Sequence, residues 1–249
     1  MNRLTVLGSG FAVANQYQEN THLLIQTEAH TVLIDCGNNP VGKLQKVGVA
    51  INEITELILT HAHADHMGAL PLLVMDMWLQ KRQSPLHIYG LTYTLEKANA
   101  LLNIYGWKTW QGMFPVEFHT VKEDSLQTLI QGQDLVVSAL MVKHLIPTIG
   151  LRIAFSASRK TFVYSCDTEP CENLDHLAAG ADLLLQEAAG PGKGHTSSEE
   201  AGVTASKAGV QQLVLIHYDA ARPETELIAE ARKHYSGDIS LAKDLLFFE

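Results

Sequence analysis

Apolar runs of strand length that end on a ligand-type side chain are the strongest constraint in this chain. Leu57, Ile58 and Leu59 lead directly into "HAHADH", which sets His61, His63, Asp65 and His66 within six positions. The pattern returns later: "VVSALMVKH" closes on His144, "TFVYSCD" on Asp167 and "LVLIH" on His217. Such density is not core packing. These groups either sit idle in water or face a positive charge. Imidazole nitrogens and carboxylate oxygens are what zinc-like divalent ions bind, and strand ends are where loops gather functional groups. Neighbouring side chains on a loop can diverge toward two ions about 3.5–4 Å apart, a spacing suited to hydrolysis.

The remainder of the chain alternates between hairpins and strand–helix units. "LTVLGSG", "THLLIQT" and "TVLIDCG" predict antiparallel strands joined by tight turns. "NPVGKLQKVGVA" predicts a helix with a glycine stop, "MGALPLLVMDMWLQKR" a second helix and "PLHIYG" a strand. "TYTLEKANALLNIYG" predicts a helix capped by Thr92 or Thr94 and stopped by Gly106. In the second half, "DLVVSALMV", "TIGLRIAF", "KTFVYSCD", "DLLLQEA" and "QQLVLIHY" predict strands. "ENLDHLAAGA" predicts a short helix, "SSEEAGVTASKAG" a helix capped by Ser197 or Ser198, "PETELIAEARKHY" a helix with proline near its first position, and "ISLAKDLLFFE" a last strand. No linker, low-complexity tract or short repeat interrupts the pattern. The expectation is a single domain over residues 1–249, with stacked sheets and outer helices in a four-layer α/β sandwich, αββα.

Composition narrows the partners. A net charge of −9 argues against a broad nucleic-acid surface. Three cysteines, Cys36, Cys166 and Cys171, form no C-x-x-C pair and fit a reducing compartment. The N-terminal stretch lacks the apolar core of a signal peptide. No run approaches the roughly 18–20 apolar residues of a membrane span. A cytoplasmic protein with no membrane association is expected.

The order His-x-His-x-Asp-His, then His, Asp and His resembles the metallo-β-lactamase superfamily, whose αββα sandwich binds one or two metals between its sheets. The resemblance implies that His61, His63 and His144 hold one ion and Asp65, His66 and His217 the other, with Asp167 bridging. It implies two Zn2+, with Mn2+ or Fe as alternatives. "EAAGPGKGHTSSEEAGVTASKAGVQQLVLIHYD" further resembles the ribonuclease Z branch. Glu187 matches the Glu of that branch's His-Glu-Ala-Thr motif, and His195 with Thr196 and Ser197 matches its Gly-His-Ser/Thr motif. The first and last positions of the former are changed, to Gln186 and Ala189. "LGSG", "ENTH" and "LIDCG" extend the likeness over nearly the whole chain. The implied chemistry is attack on phosphorus by a metal-bridging hydroxide. Asp65 serves as ligand and proton acceptor, and His195, oriented by Glu187, serves as proton donor to the leaving alkoxide.

One departure bears on the substrate. Ribonuclease Z proteins that process tRNA carry a long arm between the positions matching His144 and Asp167. Here "LIPTIGLRIAFSASRKTFVYSC" has room for two strands and a turn, with Arg159 and Lys160 its only basic spot. That counts against tRNA and favours a small or flexible phosphodiester. A homodimer is implied by the resemblance. The insert between His66 and His144 is the least family-like part; most of its aromatics read as core or dimer contacts, and Trp107 and Trp110 are candidates to roof a pocket over the metals. His22, His30, His87, His119, His176 and His234 carry no ligand spacing and read as surface or satisfied core residues. The alternative function is a lactone, thioester or β-lactam hydrolase of the same superfamily. An iron redox role and a non-catalytic binding module are further alternatives. A histidine at position 63 favours zinc or manganese over diiron chemistry, and the full ligand set argues against a degenerate module.

Overall fold

Consecutive apolar residues in the strands become intelligible once both faces of each sheet are covered. The computed structural model describes residues 2–13 and 15–249. Its first six strands are β1 (Arg3–Gly8), β2 (His22–Gln26), β3 (Thr31–Ile34), β4 (Glu56–Ile58), β5 (Leu86–Leu91) and β6 (Val116–Val121). The next seven are β7 (Gln127–Gln131), β8 (Leu135–Val142), β9 (Thr148–Phe155), β10 (Lys160–Tyr164), β11 (Leu183–Ala188), β12 (Gln212–Tyr218) and β13 (Asp238–Leu241). β14 (Phe247–Phe248) returns to pair with β1. Two seven-stranded sheets result, in the orders β14-β1-β2-β3-β4-β5-β6 and β13-β12-β11-β10-β9-β8-β7.

The side-chain period of two sorts each strand between layers. Leu4, Val6, Leu23, Ile25, Val32 and Ile34 face the second sheet, where Val137, Leu151, Ile153, Leu185 and Ile216 meet them. Leu7, Leu24 and Leu33 face outward onto α1 (Pro40–Lys46), α3 (Leu70–Leu79) and α4 (Thr92–Ile104) through Leu44, Leu73 and Leu102. On the other side, α5 (Glu172–Ala178), α6 (Ser198–Ala208) and α7 (Glu224–Arg232) cover Val163, Leu184 and Leu213. The four-layer αββα arrangement expected from the sequence is the one observed.

Several local expectations need correction. The helix predicted from Met67 starts earlier, as α2 (Ala64–Met67), and breaks at Gly68 before α3. Leu91, not Thr92 or Thr94, stands at the N-cap of α4, and Pro223 is the N-cap of α7 rather than its first turn. The last apolar run divides: β13 joins the second sheet and β14 the first. β6 and β7 escape sequence reading because their edge positions leave alternate residues polar, as in "VEFHTV" and "QTLIQ". Between His144 and Asp167 the chain forms only the β9–β10 hairpin.

Candidate metal centre

Four strand ends converge here. β4 runs into His61; His63 is the N-cap of α2, and Asp65 and His66 lie in its single turn. His144 follows β8, Asp167 follows β10, and His217 lies near the end of β12 with φ 53°. One group of ligand atoms, from His61, His63, His144 and Asp167, lies within 4.8 Å of one another, and so does a second, from Asp65, His66, Asp167 and His217. Asp167 belongs to both. His63 Nδ1 is 3.1 Å from both His61 Nε2 and His144 Nε2. Asp167 Oδ2 is 3.3 Å from His217 Nε2, and Oδ1 is 3.4 Å from His66 Nε2. Those spacings fit the tetrahedral edge of about 3.3 Å that follows from metal–ligand bonds near 2.05 Å.

Hydrogen bonding at Nδ1 turns Nε2 of three of the rings inward. His66 Nδ1 donates to Asp35 Oδ2 at 2.8 Å and His144 Nδ1 to the Gly194 carbonyl at 2.6 Å. His217 Nδ1 lies 3.1 Å from Thr21 Oγ1, whose own proton goes to the Gly10 carbonyl, so the ring donates there. Such partners fix tautomer and orientation in metal sites. His66 Nε2 and Asp167 Oδ1 are buried without a hydrogen-bond partner. Buried polar atoms are normally satisfied, so these orphans together with the His/Asp donor set fit divalent ions.

Protonation points the same way. Burial alone raises the Asp167 carboxyl, but His217, His66 and His61 hold it well below the usual carboxylate range. Burial pushes His61 well down and His217 to about 4, leaving neutral rings. His66 is opposite: burial disfavours its charge, yet Asp167 and Asp35 raise it well above the ordinary value. A proton there occupies the electrostatic position of a cation.

Asp35 is a working residue that carries no ligand spacing in the sequence. It is fully buried in "LIDCG" with φ 62°, and it accepts from Thr60 N at 2.8 Å and Thr60 Oγ1 at 2.7 Å as well as from His66. Its sequence signals are a carboxylate at a strand end and a place in the family-like stretch "LIDCG", and neither says what it touches. The next glycine matters for space: a Cβ on Gly37 would lie 1.6 Å from the Asp65 carbonyl oxygen. Only glycine lets this turn press against the histidine loop.

Beside the cluster, His195 Nδ1 lies 3.0 Å from Glu187 Oε1. Glu187 is fully buried and is held by Thr168 N at 3.0 Å and Ala189 N at 2.9 Å. Burial pushes its carboxyl up to about 7, while the bond to Glu187 raises His195. The His195 ring sits 5.0 Å from that of His144 and stacks at 6.1 Å on that of His217. The changed motif positions cost this pair nothing: strand alternation turns Gln186 to the opposite face from Glu187, and Ala189 contributes a backbone N–H. Thr196 Oγ1 donates to the Thr168 carbonyl, and Ser197 forms a complete capping box with Glu200. Both hydroxyl protons are thus engaged within the protein. A cleft of about 830 Å³ opens beside His195, lined by Gly190, Pro191, Gly192 and Arg222 among others. Trp107 is buried in the outer core with its Nε1 on Asn103, and Trp110 packs on Trp78 over Pro71 and Leu72. The recesses that Trp107 and Trp110 line include none of the seven cluster residues.

Fold and cluster together define a metal-dependent hydrolase of the metallo-β-lactamase superfamily, on its ribonuclease Z-like branch. The YhfI protein of Bacillus subtilis, a metallo-β-lactamase fold protein, superposes with a TM-score of 0.85 at 25% identity, covering 99% of this chain and 98% of that one. Human tRNase Z, short form, gives 0.80 at 22% identity over 99% and 98%, a likeness of fold. Ribonuclease Z of Mycobacterium sp. (strain KMS) is 31% identical over 98% of this chain and 95% of the relative. The family profile described as anti-Pycsar protein Apyc1 matches residues 2–235, and the chain belongs to that family. Among the described residues no helix is long and apolar enough to cross a membrane.

Proposed function

We propose that the protein is a phosphodiesterase whose centre holds two divalent ions, zinc by its donor chemistry. His61, His63 and His144 would hold one, Asp65, His66 and His217 the other, and Asp167 both. Nitrogen and carboxylate donors with no thiolate among the seven suit zinc, and manganese or iron next. When bound, such ions supply Lewis acidity toward a phosphoryl oxygen and bring the pKa of an intervening water toward neutrality. Asp65, half-buried beside His66, accepts a proton from the attacking water. His195 gives a proton to the departing alkoxide from Nε2, since Nδ1 is tied to Glu187. Glu187 holds the ring and keeps it basic.

The His195–Glu187 pair beside the cluster carries this reading. A carbonyl hydrolase has less need of a buried carboxylate that props up a proton donor. The substrate is a small or flexible phosphodiester rather than tRNA. Support comes from the bare β9–β10 hairpin, the charge of −9 and a cleft whose volume falls in the range of small-ligand sites. Both sheets supply ligands to one centre, so residues 1–249 act as a single domain. A cytoplasmic setting accords with three free cysteines, Cys36, Cys166 and Cys171. A homodimer completes the reading, tested by light scattering.

Turnover of bis(p-nitrophenyl) phosphate, a dinucleotide and simple lactones separates the possibilities. Diester cleavage without lactone cleavage is expected. Lactone turnover that is indifferent to His195→Ala, with no diester cleavage, rejects the proposal.

A further inference from the structure

Two histidines with no shared spacing in sequence meet at the other end of the first sheet. β4, β5 and β6 run parallel. The histidine loop follows the C-terminal end of β4, whereas His87 is the second residue of β5 and Glu117 the second of β6. Register pairs His87 with Glu117 and Tyr89 with His119. The period of two then sets all four side chains on one face.

We infer that His87, Glu117 and His119 form a second site for a divalent transition ion, of which zinc is the natural probe. His87 Nδ1 lies 3.0 Å from His119 Nε2 and 3.3 Å from Glu117 Oε2, and His119 Nε2 lies 4.0 Å from Glu117 Oε2. These separations bracket the edge of about 3.3 Å for a tetrahedral zinc site. Two imidazoles and one carboxylate are a donor set that zinc favours over magnesium or calcium.

The surroundings prepare the site. Tyr89 packs against the inter-sheet core and stacks on His119 at 4.7 Å with 21° between planes, which restrains that ring. Glu56, in register with His87 on β4, adds negative charge at the same end. Side chains of His87, Glu117 and His119 are 36%, 50% and 38% exposed, so an ion enters from solvent and a water completes the fourth position. Without an ion, one ring donates to the other. On binding, that ring carries its proton on its far nitrogen, and both facing lone pairs turn to the ion. Because β6 is an edge strand, the ion staples the edge to its neighbour.

The test uses the full chain, stripped of metal and dialysed to equilibrium against micromolar Zn2+. The His87→Ala/His119→Ala chain is expected to bind one zinc fewer than wild type, with diester turnover unchanged at saturating metal. A His61→Ala/His63→Ala chain keeps this ion and loses zinc elsewhere. Glu117→Gln, isosteric and exposed, weakens the site by about tenfold or more, and circular dichroism verifies its fold. Zinc content equal to wild type in the double histidine variant overturns the proposal, as does unchanged affinity in Glu117→Gln.

Discussion

Asp35 Oδ2 accepts the Nδ1 proton of His66 across 2.8 Å, with both side chains wholly buried. That bond decides which His66 nitrogen faces the cluster. An amide at position 35 offers an N–H in place of one acceptor. His66 then places its lone pair on Nδ1 and its proton on Nε2, the nitrogen otherwise free for a metal. Asparagine tolerates the left-handed φ of 62°, so Asp35→Asn tests chemistry and not backbone strain. Metal affinity at the cluster is expected to fall by about 10–100-fold. Equilibrium dialysis of wild type and variant measures it, and unchanged affinity would show that the bond does not matter.

The division between what could and could not be read in advance follows the same physics. His61, His63, Asp65 and His66 are legible because they are neighbours in sequence. His144, Asp167 and His217 are legible because each ends an apolar run. Asp35 and Thr21 also end or flank strands, but their roles depend on contacts across layers, which no spacing encodes. Gly194, whose carbonyl aims His144, lies fifty positions beyond it. His87 and His119 read as unremarkable residues because only the pairing of β5 with β6, itself an unforeseen strand, joins them. Buried β1 to β3 announce themselves by continuous apolar runs, while β6 and β7 do not.

The proposed proton donation by His195 would have a signature beyond lost activity. A p-nitrophenolate leaves without a proton, whereas a ribose or alkyl alkoxide does not. His195→Ala is therefore expected to lower kcat by about 10²–10⁴-fold on a diester with an alkoxide leaving group. The loss on bis(p-nitrophenyl) phosphate should be much smaller. Glu187→Gln should show the same selectivity, weakened, because its ring keeps a partner but loses the charge that supports it. Equal losses on both substrates would instead indicate a role in binding or folding.

Removing metal should loosen the fold at its centre. The orphaned His66 Nε2 and Asp167 Oδ1 lie between the sheets' converging ends, and Asp167 and Asp35 favour positive charge at that point. A ligand at a hundred times its Kd adds about 2.7 kcal/mol of stability per site. In a chain of this size each kcal/mol moves Tm by about 2–4 °C. Chelation is expected to lower Tm by about 5–10 °C for each ion lost, and zinc to restore it. Scanning calorimetry with and without chelator gives the answer; an unmoved Tm would mean that no ion is held in the folded chain.

His22 supplies a pH dependence apart from the catalytic groups. Its Nδ1 donates to the Asn20 carbonyl at 2.8 Å, and its Nε2 is buried without a partner. Burial pushes the imidazole down to about 4, against an ordinary value of 6.5. The folded chain thus keeps His22 neutral while the unfolded chain takes up a proton below pH 6.5. Stability from this group is complete above pH 6.5 and declines as pH falls toward 4, by about 3 kcal/mol in all. Below pH 4 both states are protonated and the slope ends. In His22→Gln no proton binds at this position, so its urea midpoint should fall less steeply than that of wild type between pH 7 and 4. Comparison of the two chains isolates His22 from His217, which is pushed equally low. Parallel pH profiles would show that His22 takes up its proton in the folded state as readily as in the unfolded one.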